Sequence, residues 1–215
     1  MNISFLKKIK LEEAILYFSG GKDSIVSLDL IRPCVNNLVC IFLENIQGLI
    51  YRDELFNYYE KRYNVKILKR FHPDYYKWQK KQVYGMENNA KELKLTDLKV
   101  GKFYKKYRTE LNIEWMILGE KRSDDITRAR KFYRYSEIDQ VNKIIYPVAY
   151  FSNKEIFEYI KIKKLLQLKC YDFDYNHEIT GYFSKDVLNW FKDNYLKDYY
   201  TILETFPQLE SILYE

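Results

Sequence analysis

The sequence predicts an α/β fold, an open parallel sheet of about five strands with helices on both faces, followed by a helical C-terminal tail. Short, continuously apolar runs alternate with segments whose apolar residues recur at helical spacing. That alternation is typical of parallel strands covered by helices. In addition, the first apolar run ends in two glycines directly before a helical pattern, which indicates a strand, a tight turn and a helix in succession.

The predicted elements follow one another along the first 165 residues. Apolar runs predict strands at 14–18, 38–43, 65–68, 115–119 and 144–146. Helical spacing predicts helices at 25–31, 51–63 and 152–163. The last of these has Ser152 and Glu155 at the spacing of a capping box. We therefore expect an α/β domain over 1–165 and a helical extension over 166–215.

Composition excludes several classes of protein. The 215 residues include 22 Tyr, 13 Phe and 3 Trp, enough to bury a core, which excludes global disorder. No run of about 18 apolar residues occurs, so we expect no membrane span, and the charged N-terminus does not fit a signal peptide. Cys34, Cys40 and Cys170 form neither a Cys-x-x-Cys pair nor a four-ligand zinc set. Sparse, reduced thiols of this kind indicate a cytoplasmic protein.

The net charge of +6 comes from one segment. Residues 66–108 carry thirteen Lys and Arg against four acids, a net +9, which leaves −3 for the rest of the chain. We predict a basic helical insertion at 70–112. Between Arg70 and Lys81, cations alternate with aromatic residues, the chemistry of a nucleic-acid groove. A solvated, lysine-rich insertion is the alternative.

A turn between the first strand and its helix has the features of a phosphate site. Its residues are Ser19, Gly20, Gly21, Lys22, Asp23 and Ser24. Backbone N–H groups at a helix start have no partner within the helix, and the helix dipole favours an anion there. The glycines allow close approach of a phosphate, the lysine adds positive charge, and the serines add hydroxyl donors. Asp23 fits beside a polyanion if it holds Mg²⁺ or caps a backbone donor; an ordinary hydrophilic turn is the alternative.

A second candidate phosphate site follows the fourth strand. Gly119 ends the predicted strand, and four cationic side chains lie within the eleven residues that follow it. Because ligands of an open parallel sheet bind beyond the carboxyl ends of its strands, we expect Gly119, Arg122 and Arg128 to lie near the first turn. Arg128 is the favoured clamp, since a guanidinium can bind two phosphate oxygens at once. The alternative is a surface loop whose acidic and basic side chains neutralise one another.

These motifs resemble those of a known superfamily. Ser-Gly-Gly-Lys-Asp-Ser after a buried strand resembles the pyrophosphate loop of the adenine nucleotide alpha-hydrolases, the N-type ATP pyrophosphatases. Residues 119–130 and 146–152 are similar to segments of the PAPS reductase branch, which includes the small subunit of sulfate adenylyltransferase. The resemblance covers roughly residues 12–165. It implies a Rossmann-like, nucleotide-binding domain in which Glu44, after the second strand, contacts the nucleoside.

The resemblance also implies a reaction. Relatives cleave ATP between the α and β phosphates, adenylate an acceptor and release pyrophosphate. Lys22, Asp23 and Arg128 are then the expected catalytic residues, and ATP and Mg²⁺ the expected cofactors, with Asp23 as the metal ligand. Lys22, Arg128 and Arg122 offset the charge that develops as pyrophosphate leaves, which is positioning and electrostatics rather than acid–base chemistry.

The C-terminal region departs from the pattern of this branch. PAPS reductases carry a nucleophilic cysteine in a Glu-Cys-Gly-x-His tail, and other relatives hold an iron–sulfur cluster or zinc on cysteines. Residues 175–183 contain no cysteine. Thiol chemistry needs a sulfur nucleophile, so we expect neither reductase activity nor an all-cysteine cluster. The alternative is that Cys170 acts alone as the sulfur nucleophile.

Three functional alternatives stay open. One is a reductase or sulfotransferase-like protein that binds a sulfonucleotide such as APS or PAPS. Another is a non-catalytic nucleotide-binding subunit that serves a partner subunit or forms a homodimer. The third concerns the acceptor: several superfamily members adenylate tRNA, so the segment 66–108 favours tRNA or DNA as a partner.

Overall fold

The structure of the protein is a computed structural model that describes residues 3–72, 100–124, 126–168 and 183–214. Most of the predicted basic segment, at 73–99, lies outside the described residues. So do Cys170 and all of the cysteine-free stretch except Phe183.

Within the described residues, six strands form one sheet. They are β1 Leu11–Tyr17, β2 Val35–Glu44, β3 Lys66–Phe71, β4 Met116–Ile117, β5 Ile138–Asp139 and β6 Ile144–Ile145. Their order across the sheet is β3-β2-β1-β4-β6-β5. β1 runs parallel to both β2 and β4, β4 runs parallel to β6, and β5 is antiparallel to β6. The predicted α/β class with an open, mostly parallel sheet is confirmed, with one more strand than expected.

The helices lie mostly where the apolar spacing predicts them. They are α1 Lys22–Ile31, α2 Asp53–Tyr63, α3 Val100–Leu111, α4 Ile126–Tyr135, α5 Asn153–Lys163, α6 Lys185–Asn194 and α7 Leu196–Thr205. Short 3-10 helices cover Ser4–Lys8, Arg32–Cys34 and Pro207–Tyr214. Among the described helices, none is long and apolar enough to cross a membrane.

The capping box at the start of α5 is confirmed. The Ser152 hydroxyl accepts a hydrogen bond from the Glu155 N–H at 3.2 Å, and the Glu155 carboxylate accepts one from the Ser152 N–H at 2.9 Å. Two of the N–H groups that a helix start leaves unpaired thus gain partners. This fixes where α5 begins.

The described residues fall into two compact units. The first comprises those within 1–42, 55–68 and 106–168, and the second those within 43–54, 69–105 and 169–215. The expected domain boundary between residues 165 and 166 stays a prediction.

The core of the first unit is built on β1. Ala14, Ile15 and Leu16 are completely buried, as expected for a central strand with neighbours on both sides. Helix α1 packs against α5, and the Tyr159 hydroxyl donates to the Asp29 carboxylate across that contact at 2.5 Å. This hydrogen bond thus joins α1 to α5 near the end of α1.

The second unit has a core of aromatic side chains and one buried acid. The Tyr51 ring makes edge-on contacts with Trp190, Phe191 and Tyr195. Asp198, at 0% exposure, accepts hydrogen bonds from the N–H groups of Ile50 and Tyr51 at 2.9–3.1 Å. These contacts connect α6 and α7 to the segment that follows β2.

Candidate functional site

The turn after β1 is closed by hydrogen bonds among its own residues. The Gly21 N–H donates to the Ser19 hydroxyl at 3.2 Å, the two serine hydroxyls lie 3.2 Å apart, and the Ser24 hydroxyl donates to the Gly21 carbonyl at 2.8 Å. Both serine hydroxyls thus help to shape the turn, and their predicted role as donors to a phosphate stays a prediction.

The two glycines of the turn have different backbone conformations. Gly20 has φ +76°, in the left-handed region that a residue with a Cβ rarely adopts. Gly21 is extended, with φ −77° and ψ 159°, and is the N-cap of α1. The helix therefore begins at Lys22, inside the motif, and its first N–H groups lie at the turn.

The loop after β4 lies directly against this turn. β4 is shorter than predicted, so Gly119 lies two residues beyond its end. A Cβ built on Gly119 would lie 3.1 Å from the Ser24 nitrogen and 3.2 Å from the Asp23 carbonyl carbon, both backbone atoms. Glycine at this position therefore allows the two loops to touch through their backbones.

A buried lysine joins the two loops. Lys121 is 1% exposed. Its Nζ lies 2.7 Å from Asp23 Oδ1, 3.0 Å from Asn153 Oδ1 and 3.4 Å from Asp124 Oδ1. The other Asp23 oxygen, Oδ2, lies 3.2 Å from Nζ of Lys22, which is itself buried. Asp23 thus accepts two ammonium groups.

Arg128 is held to the same network. Its guanidinium pairs with Asp124 Oδ2 at 2.5 Å, while the Lys121 N–H donates to the same oxygen at 2.9 Å. Although burial acts to raise the pKa of Asp124, the backbone and charge of Lys121 and the guanidinium of Arg128 hold that pKa below its usual range. Asp124 is therefore a charged anchor for Arg128.

Arg122 projects beside a cavity of about 350 Å³. The cavity is lined by Arg122, Ser123, Ala149, Tyr150, Phe151 and Ser152. The Arg122 side chain is exposed, and its backbone N–H donates to the Ala149 carbonyl at 2.7 Å. Arg122 thus belongs to the loop that touches the turn, while Arg128 lies near the start of α4, directly after that loop.

Glu44 lies in the second unit, at the end of β2. Its carbonyl accepts a hydrogen bond from the His72 N–H at 2.8 Å. Burial raises the pKa of its carboxyl, Lys69 lowers it and Asp53 raises it further. Its predicted contact with the nucleoside stays a prediction.

The expected Mg²⁺ site on Asp23 does not fit the side chains around it. Both carboxylate oxygens of Asp23 face ammonium groups, which repel a cation. In the part of the chain that the structure describes, no group of three or more His, Cys, Asp or Glu residues is placed to hold a metal ion. Mg²⁺ is usually bound through substrate phosphates with few protein carboxylates. Mg²⁺ bound in that way would not need Asp23 as a ligand.

Lys121 and Asn153 carry no sequence signal that marks them as site residues. Lys121 is one of four cations between Gly119 and Arg130, and nothing in the local sequence distinguishes a buried lysine from an exposed one. Asn153 is the first residue of α5, a position with no signal of its own. Their contacts with Asp23 arise only when distant parts of the chain meet.

Gly-containing loops at the carboxyl ends of two adjacent parallel strands place a candidate ligand site at that edge of the α/β sheet. Comparison with protein-family models identifies the class as that of nucleotide-utilising enzymes. The chain belongs to the phosphoadenosine phosphosulfate reductase domain family, whose model matches residues 13–177. Adenine-nucleotide binding fits that family.

Two solved structures illustrate the likeness. A phosphoadenylyl-sulfate (PAPS) reductase from Candida auris, solved as a phosphate complex, is 14% identical with a TM-score of 0.52, over 80% of this chain and 85% of that one. It shows the same fold. The U34-tRNA thiolase NcsA from Methanococcus maripaludis, solved with its 4Fe-4S cluster, is 17% identical with a TM-score of 0.48, over 94% of this chain and 73% of that one. A search of curated proteins found no match.

Proposed function

We propose that the protein binds ATP at the turn of residues 19–24 and cleaves it between the α and β phosphates. A nucleophile of the acceptor attacks the α phosphorus, the bond to the bridging oxygen breaks, and pyrophosphate leaves with that electron pair. The acceptor becomes adenylated. One observation supports this most: the turn and the second loop touch beyond β1 and β4, where the sheet order changes direction, the usual ligand site of an open sheet.

Each side chain has a defined part in the proposal. The first N–H groups of α1 and the Lys22 ammonium bind the β and γ phosphates. Arg128 and Arg122 offset the negative charge that grows on the leaving pyrophosphate. Mg²⁺ arrives with ATP as part of the substrate, and the carboxylate of Asp23 acts through the lysines that it holds.

We expect Lys22→Ala to weaken Mg-ATP binding at least tenfold, about 1.4 kcal/mol. The substitution removes a buried ammonium from the start of α1, where the phosphates are proposed to bind. Isothermal calorimetry with Mg-ATP measures the change. Lys61→Ala, at an exposed position of α2, is the matched control and should bind as the unmodified protein does. Unchanged affinity in Lys22→Ala would contradict the assignment of the turn.

The products of turnover distinguish the candidate functions. With ATP labelled on the α phosphate and bulk tRNA as the acceptor probe, the proposal expects labelled adenylyl product and pyrophosphate. Release of ADP and orthophosphate alone would contradict cleavage at the α–β bond. Mg-ATP binding without turnover would favour a non-catalytic nucleotide-binding subunit. PAPS binding much tighter than ATP binding would favour the sulfonucleotide alternative.

We further propose a nucleic acid, such as tRNA, as the acceptor, because thirteen Lys and Arg lie within residues 66–108. Phosphate contacts by such residues release counterions, so binding falls steeply as salt rises. We expect the protein to retain RNA at 50 mM salt and to lose at least tenfold in affinity by 200 mM, measured by filter binding. Replacing Lys80, Lys81 and Arg70 together with glutamine should reduce the salt slope. Absence of retention at low salt would eliminate this acceptor.

A further inference from the structure

The ammonium of Lys121 has an environment that its loop position does not predict. A lysine that is 1% exposed pays a large desolvation cost unless oxygen atoms surround its charge. Here three side-chain oxygens, from Asp23, Asn153 and Asp124, lie within 2.7–3.4 Å of Nζ. The ammonium is thus fully engaged inside the protein, unlike the exposed Arg122 beside it.

The partners of Lys121 come from three separate places in the first unit. Asp23 lies at the start of α1, Asp124 lies in the same loop as Lys121, and Asn153 is the first residue of α5. One side chain therefore fixes three elements at the same point. Displacing Lys121 would release the Asp23 carboxylate, which also pairs with the ammonium of Lys22.

The carboxylate of Asp23 links the two lysines. Its Oδ1 lies 2.7 Å from Lys121 Nζ and its Oδ2 lies 3.2 Å from Lys22 Nζ. A carboxylate between two cations attracts and orients both. The same arrangement opposes a metal ion on Asp23.

We propose that Lys121 is a positioning residue of the nucleotide site: it holds Asp23, and through Asp23 it sets the place of Lys22. Asp23 accordingly acts as an acceptor of two ammonium groups and not as a magnesium ligand. The inference rests on the proposed binding of ATP phosphates at this turn. The segment after β4 then has two roles. Lys121 positions residues of the turn at 19–24, and Arg122 and Arg128 contact the phosphates.

The first test compares substitutions at the two ends of the ion pair. Lys121→Met leaves the Asp23 charge without its closest partner, so we expect Mg-ATP affinity to fall at least tenfold under conditions where the variant is folded by circular dichroism. Adding Asp23→Asn removes that stranded charge, so the double variant should be no worse than Lys121→Met in unfolding and in binding. Lys154→Met, at an exposed position of α5, is the control and should match the unmodified protein.

The second test separates positioning from metal binding. We titrate Mg²⁺ at fixed ATP and measure the Mg²⁺ concentration that gives half-maximal ATP binding. In Asp23→Asn, ATP affinity should fall while that Mg²⁺ concentration stays within about twofold. A rise of tenfold or more would show Asp23 to be a metal ligand and would overturn the proposal.

Two further results distinguish a failure of this inference from a failure of the proposed function. If the unmodified protein binds no Mg-ATP, the proposed function fails, whereas the coupling of Lys121 and Asp23 in unfolding still reports on their contact. If the single substitutions instead have additive effects on unfolding, the pair is not coupled and the inference fails even where ATP binds. Restoration of affinity by Lys121→Arg, which keeps a cation and several donors, would support positioning by charge.

Discussion

Asp198→Ala is expected to lower the free energy of unfolding by roughly 2–5 kcal/mol, because it leaves backbone N–H groups without an acceptor inside the protein. The Asp198 carboxylate is completely buried and accepts hydrogen bonds from Ile50 and Tyr51. Urea denaturation followed by circular dichroism measures the loss. Glu204→Ala, at an exposed position of the same helix, should change stability by less than about 0.5 kcal/mol. An equal effect in both variants would show that the hydrogen bonds contribute nothing.

The stability that depends on Asp198 should also vary with pH. Burial raises the pKa of its carboxyl, while the Ile50 N–H acts to lower it. A carboxyl with a raised pKa in the folded protein binds its proton more tightly there than in the unfolded chain. Its contribution is thus greatest below the unfolded value, about 3.9, and declines as pH rises through the folded pKa. Asp198→Asn cannot titrate, so this decline should be absent in that variant.

Gly119→Ala is expected to damage both stability and nucleotide binding. Its Cβ would lie 3.1 Å from the Ser24 nitrogen and 3.2 Å from the Asp23 carbonyl carbon. Backbone atoms cannot give way as a flexible side chain can, so overpacking should cost about 1–3 kcal/mol. Because the displaced atoms belong to the phosphate turn, Mg-ATP affinity should fall about tenfold if the proposed site is right.

Gly48→Ala supplies the matched control for this steric effect. Gly48 has φ +82° and no atom within 4 Å of a Cβ built on it. The same substitution there costs about 1–2 kcal/mol through backbone strain alone and should leave Mg-ATP affinity unchanged. Comparable losses of affinity in both variants would indicate general destabilisation and would contradict the close approach at Gly119.

Features that depend on neighbouring residues could be predicted from the sequence. The capping box at Ser152 and the buried run of β1 depend on residues a few positions apart. Both patterns can therefore be recognised in the sequence without a structure. The strand β5 is only Ile138–Asp139, too short to show an alternating pattern. Strand length at β4 was overestimated for a related reason, since an apolar run shows burial and not hydrogen-bonded pairing.

The interior of the candidate site was less predictable because it depends on contacts between distant residues. Gly20 and Gly21 indicated the turn correctly, and the positive φ of Gly20 favours glycine at that position. The importance of Lys121 could not be inferred, because its burial follows from the approach of Asp23, 98 positions away in the chain. For the same reason the sequence does not reveal that both carboxylate oxygens of Asp23 face lysine ammonium groups.

The pairing of β1 with β4 has a consequence for the order of folding. β4 offers only Met116 and Ile117 to its neighbour, and a long stretch of chain must close before these residues can pair. Closing such a loop is entropically costly, and non-local parallel pairing is slow. We therefore expect the turn after β1 to form early, before the segment around Lys121 comes into contact with it. Completion of the site would then mark one of the last steps by which the chain reaches its native state.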